Sequence, residues 1–160
     1  WDTVVFSPSA TGITLSQFPD VLADGGPGLF WRTCPSDSFQ GLRMAQLLGE
    51  QLVTDVAIVF QQDAYGTGLR DAVVANVPAG VSTQTYPFPL DGDVPMAIAA
   101  ALGQAEANGH DALLFVSNDA ARTRTAMEIA ATENATFANA PWFLTDGSKD
   151  SVVLLEGATG

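Results

Sequence analysis

The feature that most constrains the fold is a stretch in which a short apolar run gives way to polar residues and then to a helical pattern. Val56–Phe60 is wholly apolar, two amides and an acid follow it, and Tyr65 and two glycines come before a helical pattern that starts near Leu69. An apolar run of this length is typical of a strand buried on both faces of a parallel sheet, with a covering helix after it. Open α/β sheets bind small ligands at the carboxyl ends of their strands, so we expect Tyr65 to lie at the functional edge.

The same strand-to-helix unit occurs three times in the middle of the chain. The predicted strands are 56–60, 82–86 and 112–116, with a loop broken by prolines after the second, and the predicted helices are 68–76, 94–108 and 120–132. A helix over 38–53, capped by Ser36 or Asp37, precedes these units, and a strand over 142–145 follows them. Alternating strands and helices of this length predict an α/β fold with a parallel sheet and right-handed crossovers.

The first thirty-five residues have a different pattern. They contain a short apolar strand at 4–6, a polar loop at 7–12 and an extended segment at 29–33. One strand and one extended segment cannot bury a core of their own. We therefore expect residues 1–35 to be the remnant of a separate lobe, together with the crossover that leaves it.

Composition narrows the classes of partner. The chain has 160 residues, enough for one sizeable core, and no apolar window of transmembrane length. Its formal net charge of -12 argues against nucleic acid and anionic membrane surfaces as partners. Cys34 is the sole cysteine, which excludes an intrachain disulfide and a cysteine-based zinc site, and we expect it to be a buried structural thiol.

The motifs of common enzymes are incomplete. Gly66-Thr67-Gly68 resembles the start of a dinucleotide-binding loop, but Asp71 occupies the position of the third small residue. The phosphate-loop lysine and the G-x-S-x-G elbow are missing, and the only histidine, His110, is expected in a surface turn at the opposite edge of the sheet. The sequence therefore predicts no catalytic residue, no cofactor and no metal site.

A set of polar residues is predicted to meet at the carboxyl edge of the sheet. Hydroxyls and backbone N–H groups after the first strand suit a carboxylate, an acid on the later loops suits an ammonium group, and a tyrosine offers a phenol and an apolar face. The same residues could equally be helix caps, turn residues and loop packing, and this alternative stays open. The candidates are Ser9, Thr11, Tyr65, Asn118, Asp119 and Asp146.

Several segments together resemble the type I periplasmic binding proteins, specifically the leucine/isoleucine/valine-binding branch that serves ABC transporters. They are F-S-P-S-A-T at 6–11, F-W-R-T-C-P-S-D at 30–37, Q-G at 40–41, V-A-I-V-F-Q-Q-D-A-Y-G-T-G-L at 56–69, D-A-L-L-F-V at 111–116 and F-L-T-D-G at 143–147. The resemblance implies a three-layer, Rossmann-like (flavodoxin-like) parallel sheet with helices on both faces. That sheet would form one lobe of a two-lobed clamshell: residues 1–35 would be the remnant of the first lobe, and residues 36–160 the second ligand-binding lobe, incomplete at its C-terminus.

The resemblance also implies roles for the candidate residues. Ser9 and Thr11 would hold the carboxylate of the ligand, Tyr65 would contact the ligand from the second lobe, and Asp146 would receive its α-ammonium group. Asn118 and Asp119 would lie on a further loop that faces the cleft.

The function implied is that of a solute-binding component of a bacterial ABC importer for branched-chain or other amino acids. Its partners would be a small-molecule ligand, an amino acid or an amide, and an inner-membrane ABC permease. The location would be the periplasm, or an extracytoplasmic site on a membrane anchor. The alternative is a ligand-sensing domain of a receptor or of a regulator that responds to amides or amino acids. Because half of the clamp would be missing, we expect the 160-residue chain to bind amino acids weakly or not at all.

Overall fold

A computed structural model describes residues 3–16, 28–134 and 136–149, and within them strands and helices alternate. The strands are β1 (Val5–Ser7), β2 (Phe30–Arg32), β3 (Asp55–Gln61), β4 (Ser82–Phe88), β5 (Ala112–Val116) and β6 (Trp142–Leu144). The α-helices are α1 (Asp37–Glu50), α2 (Ala64–Val74), α3 (Val94–Ala107) and α4 (Ala120–Glu133). Single 3-10 turns cover Ile13–Ser16 and Asp146–Ser148. Among these helices none is long and apolar enough to cross a membrane.

The main sheet has four parallel strands in the order β4-β3-β5-β6. The predicted parallel α/β sheet is therefore confirmed. β1 and β2 form a separate parallel pair, in which Val5 lies opposite Phe30. The described residues thus form two sheets, and β1 and β2, which precede α1, make up the smaller one.

Helices cover both faces of the main sheet. Successive side chains of a strand point to opposite faces, so Val56, Ile58 and Phe60 of β3 pack toward one face while Ala57 and Val59 pack toward the other. The first face is covered by α1 and α2 and the second by α3 and α4. The predicted three-layer arrangement is confirmed.

The connections place a crevice between two central strands. α2 connects β3 to β4, on one side of β3, whereas α4 connects β5 to β6, on the other side of β5. In an open α/β sheet, ligands bind outside the carboxyl ends of the two strands whose connections diverge in this way. Here those ends are Gln61 of β3 and Val116 of β5.

The start of α2 was wrongly predicted. The helix begins at Ala64 rather than near Gly68, because the Asp63 side chain caps it by accepting a hydrogen bond from the Gly66 amide at 2.7 Å. Gly66 belongs to the first turn, where its lack of a side chain allows close approach to β3. A Cβ there would lie 2.8 Å from Gln61 Cγ and closer still to the Gln61 carbonyl oxygen. Gly66 therefore serves helix-to-strand packing, and both glycines belong to α2 rather than to a loop.

His110 is buried and not a surface turn residue. Its side chain is 3% exposed, Nε2 lies 2.6 Å from the Tyr86 hydroxyl and Nδ1 lies 2.9 Å from an Asp55 carboxylate oxygen. Tyr86 is on β4, which β3 separates from β5 in the sheet, so the turn sequence around His110 carries no sign of this partner. The prediction of an exposed histidine was wrong for that reason.

Two further expectations need correction. β4 continues two residues beyond the predicted strand and includes Pro87, which an edge strand tolerates because one side of its backbone has no ladder partner. Cys34 is partly exposed rather than buried, because it lies between the two sheets on the segment that joins β2 to α1.

Candidate functional site

Tyr65 and Asp146 meet at the carboxyl edge of the main sheet. The Tyr65 hydroxyl donates a hydrogen bond to Asp146 Oδ1 at 3.0 Å, and Gln40 Nε2 donates to the same oxygen at 2.9 Å. Tyr65 extends from the first turn of α2, Gln40 from the first turn of α1, and Asp146 opens the 3-10 turn after β6. Three separate elements thus converge on one carboxylate, which is itself exposed to solvent.

The surroundings of Tyr65 keep its phenol protonated. Burial raises the pKa of Tyr65 far above its ordinary value, the Asp146 carboxylate raises it further, and the hydrogen bond with Thr145 acts in the opposite direction. The hydroxyl is therefore a hydrogen-bond donor throughout the physiological pH range.

The segment after β1 reaches the same region through Asp37. The Asp37 amide donates to the Thr11 carbonyl at 2.9 Å, and the two side chains are also hydrogen-bonded. Asp37 is 1% exposed, and this burial raises the pKa of its carboxyl group; the Thr11 hydroxyl opposes the rise, while the charge of Asp146 adds to it. Thr11 therefore contacts Asp37, whose charge acts on Tyr65, and Ser9 is exposed two residues earlier on the same loop.

Arg32 fixes the backbone of that loop. Its Nη1 donates to the carbonyl oxygens of Ala10, Thr11 and Gly12 at 3.2, 3.1 and 3.0 Å, and its Nη2 bonds the hydroxyl of Ser16. Three consecutive carbonyl groups thus face one guanidinium group from β2. This role of Arg32 was not predicted; the signal available in the sequence was an arginine two residues before Cys34-Pro35.

The crevice between β3 and β5 is filled by a polar side chain of the protein itself. Gln61 is fully buried, and its amide group bonds Asp63, Ser117 and Asn118. The sequence analysis did not select Gln61; its position immediately after an apolar run was the available signal. A ligand at this edge would therefore lie outside the crevice, toward Tyr65 and Asp146.

Asn118 and Asp119 have local partners. The Asn118 side chain accepts a hydrogen bond from Gln61 at 3.0 Å. The Asp119 side chain caps α4, accepting from the Ala121 amide at 2.8 Å, and also lies 3.6 Å from the Arg122 guanidinium. The structure thus joins Tyr65 to Asp146 and Thr11 to Asp37, whereas Asn118 and Asp119 make contacts that hold the neighbouring loop. Gln40 and Asp37 are the site residues that sequence reasoning did not assign.

Comparison with known proteins gives structural neighbours. No protein-family model and no curated protein sequence matches the chain. An extracellular ligand-binding receptor from Verminephrobacter eiseniae EF01-2 is similar, with a TM-score of 0.67 and 19% sequence identity over 88% of this chain and 37% of that one. An ABC transporter substrate-binding protein from Desulfitobacterium hafniense gives a TM-score of 0.64 and 21% identity over 88% of this chain and 39% of that one.

These likenesses establish the fold. It is an α/β fold with a parallel sheet and helices on both faces, as expected from the sequence. The chain spans under two-fifths of the length of either neighbour.

Proposed function

We propose that the chain is the ligand-binding part of a bacterial solute-binding protein that serves an ABC importer for branched-chain or other amino acids. Residues 36–160 would be the second lobe, and residues 1–35 the remnant of the first lobe with its crossover. The observation that carries the proposal is the Tyr65–Asp146 hydrogen bond at the carboxyl edge of the main sheet, near Asp37, which binds Thr11 of the loop after β1. Both structural neighbours bear names of ligand-binding proteins, which supports a binding role rather than catalysis.

The chemistry of the junction suits the two ends of an amino acid. Both hydrogen bonds described for Asp146 go to Oδ1, so its second oxygen can accept from an α-ammonium group. The loop that carries Ser9 and Thr11 offers hydroxyls and backbone N–H groups to the carboxylate. The aromatic ring of Tyr65 would pack against one side of the ligand. Asn118 and Asp119 remain proposed ligand contacts on the adjacent loop. They would contact the ligand in addition to the hydrogen bonds that they make with Gln61 and with the start of α4.

The small β1–β2 sheet supports the division into lobes. Val5, Phe6 and Trp31 are 51%, 70% and 47% exposed, and they lie on both faces of the sheet. Parallel sheets occur almost only where both faces are covered. We infer that further strands and helices of the first lobe cover these residues, in agreement with the partial coverage of both neighbours.

The mechanism would be closure of two lobes around the ligand. A ligand that contacts Thr11 on one side and Asp146 on the other has more contacts in the closed state, so it shifts the open–closed equilibrium toward closure. The closed form would then dock on an inner-membrane permease, which places the protein in the periplasm or on an extracytoplasmic membrane anchor.

A thermal-shift screen of the full-length gene product against amino acids and amides tests this function. A ligand at about one hundred times its dissociation constant stabilises the folded state by about 2.7 kcal/mol, so a true ligand should raise the melting temperature clearly. Asp146→Asn should abolish that rise, whereas the matched change Asp91→Asn on an exposed loop should preserve it. If none of the amino acids or amides stabilised the protein, the proposed function would be refuted.

Calorimetry on the 160-residue chain tests the division of the site. Because most of the first lobe would lie outside this chain under the proposal, we expect weak binding or none for the ligand that the screen identifies. Micromolar binding by this chain would contradict a site shared between two lobes while leaving the binding function intact.

A ligand-sensing domain is the second candidate. The neighbour named an extracellular ligand-binding receptor favours it. Deletion of the gene separates the two functions: loss of amino-acid uptake supports the importer, whereas normal uptake with a lost transcriptional or signalling response supports the sensor.

A further inference from the structure

The geometry points to Gln61 as a positioning residue that holds Tyr65 and Asp146 within hydrogen-bond distance of each other. Its amide group makes four hydrogen bonds: Nε2 donates to Asp63 Oδ2 at 2.8 Å and to Asn118 Oδ1 at 3.0 Å, while Oε1 accepts from Ser117 Oγ at 2.9 Å and from the Asn118 amide at 3.3 Å. The functional meaning of the inference rests on the role proposed above for the Tyr65–Asp146 pair.

One branch of the network leads to Tyr65. Asp63 receives the Gln61 amide on Oδ2 and caps α2 with Oδ1, which accepts from the Gly66 amide at 2.7 Å. Gly66 also packs on the backbone of Gln61 without space for a side chain. Tyr65 lies between the cap and this contact, so the direction of its side chain depends on both.

The other branch leads to Asp146. The Gln61 side chain accepts a hydrogen bond from the backbone amide of Asn118 and donates one to the side chain of Asn118. Gly147 packs on Asn118 so closely that a Cβ would lie 2.6 Å from the Asn118 Cα, and Thr145 donates to the Ser117 carbonyl at 2.8 Å. Asp146 lies between these two contacts, so its turn is fixed against the loop that Gln61 holds.

Only a neutral amide fits this position. A primary amide supplies two donors and an acceptor with two lone pairs, and Gln61 uses all of them while fully buried. A glutamate of the same shape would retain the acceptors but turn a negative oxygen toward Asp63 Oδ2 and Asn118 Oδ1. That arrangement leaves buried polar atoms unpaired and repels the cap of α2, and both effects disfavour the present loop geometry.

Gln61→Glu is the test, and the adjacent exposed residue supplies the matched control Gln62→Glu, which adds the same charge outside the network. The readout is the 13Cζ resonance of Tyr65 in protein labelled at tyrosine, assigned by its loss in Tyr65→Phe. In the wild type, Asp146→Asn should shift this resonance, because it replaces the carboxylate that accepts from the phenol. Gln61→Glu should shift it to a similar extent, and Gln62→Glu should leave it in place.

Mild acid provides a rescue. A buried glutamate that faces another carboxylate has a raised pKa and takes up a proton early, so the Tyr65 resonance of Gln61→Glu should return toward the wild-type position as the pH falls. The wild type measured over the same pH range is the reference. A general loss of packing would not be reversed in this way.

A Gln61→Glu variant that folds and keeps the wild-type Tyr65 resonance would overturn the inference. If that variant fails to fold, Asn118→Ala tests the inference instead. It removes, at an exposed position, the side-chain oxygen that accepts a hydrogen bond from Gln61. It should shift the resonance in the same direction by a smaller amount, and no shift would overturn the inference. Since no ligand is added, the result is independent of whether the proposed transport function is correct.

Discussion

Replacing Gly66 by alanine tests the contact that brings Tyr65 to the site. The new methyl group would lie 2.8 Å from Gln61 Cγ and closer to the Gln61 carbonyl oxygen. Overpacking of this kind costs about 1–3 kcal/mol, and we expect the upper part of that range because the hydrogen bonds of Gln61 prevent it from moving aside. The better helix propensity of alanine offsets about 1 kcal/mol. The net loss should be about 2 kcal/mol, which lowers the melting temperature by about 4–8 °C in a chain of this size.

Gly68→Ala, two residues later in the same helix, is the matched control. A methyl group there meets only Ile13 Cδ1 at 3.8 Å, an ordinary contact. It should therefore gain about 0.5–1 kcal/mol from helix propensity alone. Urea unfolding followed by circular dichroism measures both changes, and the two variants should shift the midpoint in opposite directions. A Gly66→Ala midpoint at or above that of the wild type would refute the close packing of α2 on β3.

Three further changes separate local strain, capping and charge. Leu52 has φ +58° and is 85% exposed; because that conformation disfavours leucine by about 1 kcal/mol, Leu52→Gly should raise the free energy of unfolding by up to about that amount in urea. Asp119→Ala removes the cap of α4 and should cost about 1 kcal/mol, whereas Asp119→Ser should retain most of the wild-type stability; equal values would contradict the capping role. Burial acts to raise the pKa of Asp111, but hydrogen bonds from Thr54 and Asp55 outweigh it and lower that pKa. The ionised group therefore stabilises the fold above its unfolded pKa of about 3.9 and this contribution is lost as the pH falls through the lower folded pKa. Urea midpoints at neutral and acid pH should consequently differ less in Asp111→Asn than in the wild type, and an unchanged difference would contradict this reading.

The sheet could be predicted because burial on both faces leaves a direct mark on the sequence. β5 has the predicted limits, Ala112–Val116, and β3 extends the predicted strand by one residue at each end. The start of α2 could not be predicted in the same way. Glycines disfavour a helix by propensity, and the reason for Gly66 is a contact with Gln61 that exists only once the helix has docked.

The candidate site was predictable in part for the same reason. Tyr65 and Asp146 both follow strands of one parallel sheet, so the sequence places them at one edge, and the structure joins them at 3.0 Å. Gln40 and Asp37 belong to α1, which precedes the main sheet. Their distance from that edge depends on how the segment between β2 and α1 packs against the main sheet. No periodicity in the sequence predicts that packing.

The charges at the junction favour one orientation for an amino-acid ligand. Asp37 and Asp146 both lie near Tyr65; burial is the main cause of the raised pKa of Asp37, and the negative charge of Asp146 raises it further, an imbalance that Arg32 opposes. Arg32 does not offset it in full, because its Nη1 is directed at backbone carbonyls of the loop after β1. An ammonium group would relieve this imbalance, whereas a carboxylate in the same place would increase it. The proposed ligand would therefore direct its ammonium group toward Asp146 and its carboxylate toward Thr11 and the proposed first lobe.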